Sequence, residues 1–147
     1  MISKKAEYAI NILAELARRE SEELLSSRNI AGTHEIPVTL VAQLVSQLQK
    51  NGLIESSRGA KGGIRLAQAP ERISLKQVVE LFDGNIGISR CLKSDEYCNK
   101  SGYCPLHQIW KRAQGKMLQE LEQTSVLDLA QSFDAKPQYT SIRKHNT

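Results

Sequence analysis

Three cysteines and a histidine lie close together in the second half of the chain. Cys91 and Cys98 are separated by six residues, Cys98 and Cys104 by five, and Cys104 and His107 by two. Thiolates and imidazoles are ligands for zinc and for iron–sulfur clusters. A single zinc ion usually recruits closer pairs of cysteines, because its ligands must meet within a small sphere. The wider gaps therefore favour an iron–sulfur cluster, with zinc as the alternative.

The sequence predicts that the protein is in a reducing compartment, where these thiols stay reduced. An odd number of cysteines, three in all, argues against a disulfide scaffold. The first residues, Met1 to Lys5, lack the apolar segment of a secretory signal. No apolar run approaches the roughly 18 residues that a membrane span requires. We therefore expect a soluble, cytoplasmic protein with no membrane partner.

Charge and composition are compatible with a DNA-binding protein. The 147 residues fit one domain, or one small domain with an appended element, and 40% of them are hydrophobic, which is enough for a core. Twenty Lys and Arg against 16 Asp and Glu give a net charge of +4. Residues 56–65 contain three cations and no acid: Arg58, Lys61 and Arg65. A local cluster of this kind is more informative about nucleic-acid binding than the net charge.

Periodicity in the first 70 residues predicts a winged helix-turn-helix. Apolar residues at steps of three and four indicate helices, and alternation around a glycine-rich turn indicates a hairpin. Proline suits the first position of a helix. The predicted elements are a helix from Ser3 to about Arg19, a short helix capped by Ser26 or Ser27, a helix starting at Pro37 and ending at Lys50, and strands 53–57 and 64–67 joined by the turn 58–63.

The third helix and the hairpin carry the side chains expected to contact DNA. The helix has an apolar face for its own domain and a polar face with Thr39, Gln43 and Ser46. Glutamine amides pair with adenine, and hydroxyl groups contact base edges. Arg58 and Lys61 at the hairpin tip, with Arg65 behind them, bring positive charge to phosphates or to a narrow minor groove. We predict binding to double-stranded DNA.

The rest of the chain is predicted to connect and pair these DNA-binding units. Residues 71–105 form a linking helix, with Ser74 as its N-cap, and the cysteine loop. Residues 106–132 form a long helix and a short one, and residues 133–147 a disordered tail. The long helix bears an apolar stripe at near-heptad spacing, which predicts a homodimer on a near-palindromic operator. The alternative is that this stripe packs only on its own domain. The stripe consists of Leu106, Trp110, Ala113, Met117 and Leu121.

With these motifs, the sequence resembles the Rrf-type (Rrf-two) family of bacterial winged-helix transcription factors, and in particular its iron–sulfur cluster regulators. The resemblance extends to about Ala130. It implies a mainly α fold: a winged helix-turn-helix, a long C-terminal dimerisation helix and an intervening cluster-binding loop. The residues that carry it are Glu7-Tyr8-Ala9, Gln43-Leu44, Lys50-Asn51-Gly52-Leu53, Ser57-Arg58-Gly59, Gly62-Gly63, the three cysteines, His107 and Trp110.

The same resemblance implies a ligand set and a regulatory role. Cys91, Cys98, Cys104 and His107 would hold a 2Fe–2S cluster, favoured over 4Fe–4S, and the protein would regulate iron–sulfur assembly genes. Nitric-oxide-sensing relatives typically lack the histidine. In those and in some redox-sensing relatives, a carboxylate at the place of Glu7 reaches the partner subunit's cluster. Glu7 is therefore the alternative fourth ligand, and His34 is a weaker one.

Two positions depart from the family pattern. The gap between Cys91 and Cys98 is one residue longer than usual, which a loop can absorb. Ala42 stands where these proteins often have a glutamate that faces the bases. The missing carboxylate removes an acceptor for cytosine, so the operator sequence does not carry over from the family.

Control of DNA binding by the cluster is the predicted mechanism. Imidazole binds a metal only when neutral, so it competes with protons, and a cluster with one such ligand is more easily lost than one held by four thiolates. Cluster binding would order the cysteine loop and change operator affinity. The rivals are a redox-sensing or nitric-oxide-sensing regulator of the same family and a repressor with structural zinc. The sequence contains neither a nucleotide-binding glycine pattern nor a catalytic Ser/His/Asp grouping, so we do not expect an enzyme.

Overall fold

The part of the protein that the structure describes is mainly helical, with one two-stranded antiparallel sheet. The structure, a computed structural model, describes residues 1–19, 23–94, 98–100 and 102–134. In chain order the elements are α1 (Lys4–Ala17), α2 (Ser27–His34), α3 (Val38–Lys50), β1 (Ile54–Ser57), β2 (Gly63–Leu66), a 3₁₀ turn (Pro70–Arg72), α4 (Leu75–Asp83), α5 (Arg90–Lys93), α6 (Pro105–Gln123) and α7 (Val126–Asp134).

Helix α1 lies at the centre of the fold. It packs against α2, α3 and β2 and also against α4 and α7. Because neighbours surround it, Ile12 and Glu15 are buried although the spacing predicted only one apolar face. Two arginines that directly follow α1 neutralise the Glu15 carboxylate, Arg19 at 3.0 Å and Arg18, the C-cap residue, at 3.3 Å. Pairing of this kind is what allows a carboxylate to be buried.

Serine side chains cap the start of four of the described helices. Ser3, Ser26, Ser74 and Ser125 each accept a hydrogen bond from the backbone N–H three residues on, at 3.1–3.2 Å. These bonds satisfy amide groups that have no partner inside the helix. The predicted N-caps of α2 and α4 are therefore confirmed. Pro37, predicted as the first residue of the third helix, is instead its N-cap, because its extended ψ of 133° places it just outside the helix.

Helices α2 and α3 and the following hairpin form the winged helix-turn-helix. The apolar face predicted for this helix is its buried side in the structure, and it consists of Val41, Leu44, Val45 and Leu48. Strands β1 and β2 pair in register from Ile54 opposite Leu66 to Ser57 opposite Gly63. Leu25, which precedes α2, exchanges two backbone hydrogen bonds with Ile64, at 2.8 and 3.0 Å. The hairpin, called the wing below, is thus bonded to the domain behind it.

The tip of the wing depends on glycine at two positions. Gly59 has φ of +107°, which side-chain-bearing residues rarely adopt. A Cβ atom at Gly62 would overlap the carbonyl oxygen of Ser57 and lie 2.8 Å from the carbonyl carbon of Arg58. The two glycines therefore make the narrow turn that carries Arg58 and Lys61 possible.

The second half of the chain leaves the winged domain and returns to it. Helix α4 ends at Asp83, and residues 84–104, called the cysteine segment below, connect it to α6. At the far end of α6, the Leu75 N–H donates to the Thr124 carbonyl at 2.9 Å, and the Val126 N–H donates to the Ile73 carbonyl at 2.8 Å. These bonds hold the junction of α6 and α7 against the start of α4.

Two sequence-based boundaries are corrected. Cys91 lies in the one-turn helix α5 and not in a loop, because the chain turns back over Gly87. Phe133 and Asp134, predicted to begin the tail, are the last residues of α7. Asp134 accepts a bond from the Arg18 guanidinium at 2.8 Å, which holds the end of α7 against α1. The rest of the predicted tail, 135–147, is outside the described residues.

Candidate nucleic-acid interface and metal centre

The polar face of α3 is exposed at each position that the sequence predicted. Thr39, Gln43 and Ser46 are exposed, and so is Ala42. Their spacing of four and three residues places Thr39, Gln43 and Ser46 along one face of the helix. With the opposite side of α3 buried in the domain, this face is free to enter a major groove of DNA.

The three predicted cations of the wing differ in their surroundings. Arg58 and Lys61 are exposed at the turn, and neither forms an ion pair within the part of the chain that the structure describes. Arg65 lies on β2, where its Nε donates to Glu55 Oε1 at 2.9 Å across the hairpin. Its charge is partly compensated, so Arg58 and Lys61 are the stronger candidates for phosphate or minor-groove contacts.

A groove between α2, α3 and the wing contains polar side chains that the sequence analysis did not single out. Its volume is about 390 Å³, and Gln49 and Ser56 are among the residues that line it. The Ser56 hydroxyl donates to Gln49 Oε1 at 3.1 Å, which joins the wing to α3. The spacing of Ala42, Ser46 and Gln49 along one helical face was the signal that could have identified Gln49.

The cysteine segment presents three free thiols, all half-buried. The Cys91 Sγ lies 3.3 Å from the Ser89 hydroxyl oxygen. Cys104 is the N-cap residue of α6, and its backbone N–H donates to the Lys100 carbonyl at 2.9 Å. Within residues 1–19, 23–94, 98–100 and 102–134, no three His, Cys, Asp or Glu side chains converge in a metal-binding arrangement. The convergence of Cys91, Cys98, Cys104 and His107 stays a prediction.

His107, in the first turn of α6, has an unsatisfied ring nitrogen. Its Nδ1 is buried and has no hydrogen-bond partner among the described residues. A buried polar atom without a partner costs free energy, and metal coordination is one way to satisfy an imidazole nitrogen. Three free thiols lie nearby in the sequence. Together with the His107 imidazole, they are ligands that suit an iron–sulfur cluster or zinc.

The alternative fourth ligands have other surroundings. Glu7 is exposed on α1 and accepts a bond from the Lys4 ammonium at 2.7 Å. This hydrogen bond raises the pKa of Lys4 above its ordinary value. His34, at the end of α2, also has a buried ring nitrogen without a partner in the described chain, but it lines a cavity with Asn11, Glu15, Arg18 and Phe133. No cysteine lines that cavity.

Helix α6 has an exposed apolar face. Leu106 is 52% exposed, Ile109 47% and Trp110 38%, and none of the residues of α6, all of which are described, is buried. The remaining members of the predicted stripe differ, since Ala113 is exposed while Met117 and Leu121 are half-buried. An exposed apolar patch of this kind is typical of a protein–protein contact.

Comparison with known proteins decides the family. A family model described as "Rrf2: Iron-dependent Transcriptional regulator" matches residues 2–132. The chain belongs to the Rrf2 family. The family resemblance and the winged-helix fold predicted from the sequence are thereby confirmed. As an Rrf2-family protein, the chain is a transcriptional regulator that binds DNA.

The relatives of this Rrf2-family protein include the transcriptional regulators CymR and NsrR. The HTH-type transcriptional regulator CymR of Bacillus subtilis is 30% identical over 135 residues, which cover 92% of this chain and 93% of the relative. The regulator NsrR of Bacillus licheniformis is 28% identical over 134 residues, or 90% of this chain and 94% of the relative. These relatives are named as transcriptional regulators, in keeping with the expectation of a non-enzyme.

Solved structures in the same family share the fold. The structure of B. subtilis CymR, described as the global cysteine regulator of that organism, has a TM-score of 0.72 and 29% identity, covering 90% of this chain and 97% of the other. IscR of T. potens has a TM-score of 0.74 over 95% of this chain and 93% of the other. At 21% identity this second likeness is one of fold. In the described part of this Rrf2-family protein, no helix has both the length and the apolarity to cross a membrane.

Proposed function

We propose that this Rrf2-family regulator binds its operators as a homodimer and that an iron–sulfur cluster, 2Fe–2S in preference to 4Fe–4S, controls its affinity for them. Cys91, Cys98, Cys104 and His107 are the proposed ligands. The observation that carries the proposal is the buried, unpartnered Nδ1 of His107 beside a segment with three free thiols. The iron-dependent character of the family supports iron over zinc.

The proposed DNA contacts combine base reading with charge. Thr39, Gln43 and Ser46 face the major groove, and Arg58 and Lys61 at the wing tip contact phosphates or the minor groove. Arg65, paired with Glu55, contributes less. The exposed polar face of α3 and the uncompensated charge of the tip support this assignment. A dimer through the exposed apolar face of α6 would place two such units on a near-palindromic operator.

Regulation follows from the position of the proposed ligands. When bound, the cluster would supply a group that is gained, lost or oxidised as iron and redox conditions change. His107 lies in the first turn of α6 and Cys104 is the N-cap residue of that helix, while Cys91, in α5, and Cys98 precede it. Holding them together would fix the cysteine segment against α6. We expect loaded and cluster-free protein to differ in operator affinity by about 5- to 150-fold, the usual range of such couplings.

Anaerobic purification of the full chain tests this proposal. We expect about two iron and two sulfide per chain in the wild type, and an altered visible spectrum in His107→Ala. His34→Ala is the matched control, because it removes a second imidazole with a buried nitrogen that has no partner among the described residues. Four iron with an unaffected His107→Ala spectrum would contradict this ligand set and favour Glu7 and a nitric-oxide-sensing or redox-sensing regulator. Zinc alone would contradict the cluster and leave a repressor with a structural metal.

Target genes are part of the same proposal. We propose iron–sulfur cluster assembly genes, because a cluster-bearing regulator reports directly on the supply of what those genes make. Chromatin immunoprecipitation with the wild type, grown with and without iron, tests this choice. Enrichment confined to cysteine-metabolism or nitric-oxide-detoxification promoters would contradict it.

A further inference from the structure

A side chain of α6, that of Gln114, forms a hydrogen bond with the segment that leads to Cys91. The Ile88 backbone N–H donates to Gln114 Oε1 at 3.1 Å, although the two residues are 26 positions apart. The Ile88 side chain is 42% exposed, so burial of its side chain does little to hold the segment there. Gln114 itself is half-buried. The hydrogen bond therefore adds a directional contact to the packing of α5 on α6.

The position of Ile88 determines the position of Cys91 because the intervening turn is tightly built. A Cβ atom on Gly87 would lie 2.5 Å from Lys93 Cγ and 3.4 Å from the Lys93 nitrogen. The Leu92 N–H donates to the Ser89 carbonyl at 3.1 Å, and the Ser89 hydroxyl is 3.3 Å from Cys91 Sγ. A turn with these internal contacts moves as one piece when the Ile88 end is fixed.

Gln114 and His107 lie on the same face of α6. They are seven positions apart, which is two helical turns, or about 10 Å along the helix axis. Both are half-buried, whereas Leu106 and Ile109 on the neighbouring face are exposed. This face of α6 therefore carries both His107, a proposed ligand, and Gln114, which accepts the hydrogen bond from the turn before Cys91.

We propose that Gln114 is a positioning residue for the cluster: it holds the turn that carries Cys91 against the face of α6 that carries His107. This inference rests on the proposed function for its consequence, because the cluster is what the positioned thiol would bind. The hydrogen bond itself is a property of the cluster-free protein, so the two can be tested separately.

The first test uses cluster-free full-length protein and compares Gln114→Leu with Gln114→Glu. Leucine removes the acceptor, while glutamate keeps an oxygen that can accept from the Ile88 N–H. We expect residue-resolved hydrogen exchange at Ile88, and alkylation of Cys91 relative to Cys104, to be about fivefold faster in Gln114→Leu and near wild type in Gln114→Glu. Gln119→Leu, an exposed glutamine on the same helix, is the control. Equal rates in the two leucine variants would overturn the proposal.

The second test uses the reconstituted holoprotein. We expect Gln114→Leu to release iron to a chelator several times faster than Gln119→Leu and to show a shifted reduction potential, with Gln114→Glu restoring both. Iron release and potential that match the wild type would overturn the positioning role, even if the Ile88 amide exchanged faster. A wild type that binds no iron would contradict the proposed function, whereas the exchange test would still decide whether Gln114 holds the Cys91 turn.

Discussion

The hydroxyl group of Ser56, in the wing, donates a hydrogen bond to the side-chain oxygen of Gln49, near the end of α3, at 3.1 Å. The two parts of the candidate DNA interface are therefore joined by side chains as well as by the chain between them. Behind the wing, the Leu25–Ile64 pair adds two backbone bonds. We therefore expect α3 and the wing to approach DNA as one unit.

A double-mutant cycle measures the contribution of this contact. Ser56→Ala and Gln49→Leu should show a coupling of about 0.5 kcal/mol in the free energy of unfolding. The net contribution of an exposed hydrogen bond to stability lies at the low end of the usual range. Urea unfolding of cluster-free protein provides the measurement. The control cycle pairs Ser57→Ala with Gln49→Leu and should be additive. Additivity in both cycles would mean that the bond contributes nothing to stability.

Removing the charge at the wing tip should weaken DNA binding. Arg58→Ala is expected to cost about 1–3 kcal/mol in operator binding, with no change in the visible spectrum of the cluster. Arg65→Ala should cost less, because Glu55 already compensates that charge. Fluorescence anisotropy at fixed salt measures both affinities, and Arg72→Ala, outside the wing, controls for net charge. An equal loss in Arg58→Ala and Arg72→Ala would contradict a specific contact by the tip.

A charge on the exposed apolar face of α6 should prevent dimerisation. Trp110→Glu places a carboxylate next to Leu106 and Ile109, where a partner would otherwise bury apolar surface, and we expect monomers in sedimentation experiments at micromolar concentration. Gln119→Glu adds the same charge on the opposite side of the helix and should leave the dimer intact. If both variants sediment like the wild type, this face is not the dimer interface.

The start of α7 should make stability depend on pH in acid. The Ser125 N–H and hydroxyl both donate to Asp128 Oδ2 at 2.8 Å, and these bonds lower the pKa of Asp128 from its ordinary value of 3.8. Because the pKa of Asp128 is lower in the folded state, the ionised carboxylate stabilises the fold at pH values above its ordinary pKa. This stabilisation is lost as the pH falls through the pKa of the folded state. Thermal unfolding between pH 5 and pH 3 should therefore change less in Asp128→Asn than in the wild type, and Glu71→Gln serves as a control. Parallel curves for Asp128→Asn and the wild type would refute this linkage.

Much of the winged domain could be predicted from sequence because its signals are local. Capping by Ser26 and Ser74, the apolar face of α3 and the glycine-rich turn each depend on residues within one or two helical turns. The burial of Glu15 could not be predicted, since it follows from the packing of α1 between two sets of neighbours that are distant in sequence. The position of Pro37 was missed by one residue because its φ of −54° fits a helix, and only its ψ of 133° places it outside.

The cysteine segment illustrates the opposite case. Residue types and spacing favour an iron–sulfur cluster there, which stays a prediction, whereas the helical turn at Cys91 depends on how closely Gly87 approaches Lys93. The bond from Ile88 to Gln114 joins the connection between α4 and α5 to α6, and a glutamine on a polar helix surface gives no sequence signal of such a contact. Long-range hydrogen bonds of this kind become visible only in three dimensions.

Helix α6 is attached to the winged domain at one end. Thr124 at its C-terminus is bonded to Leu75, whereas its N-terminus carries Cys104 and His107 and begins about 28 Å away along the axis. In the proposed dimer through α6, a displacement of the cysteine end would tilt this helix about its bonded end and so change the distance between the two α3 helices. Operators that differ by one base pair in the spacer between half-sites would then differ in their affinity for cluster-loaded and cluster-free protein.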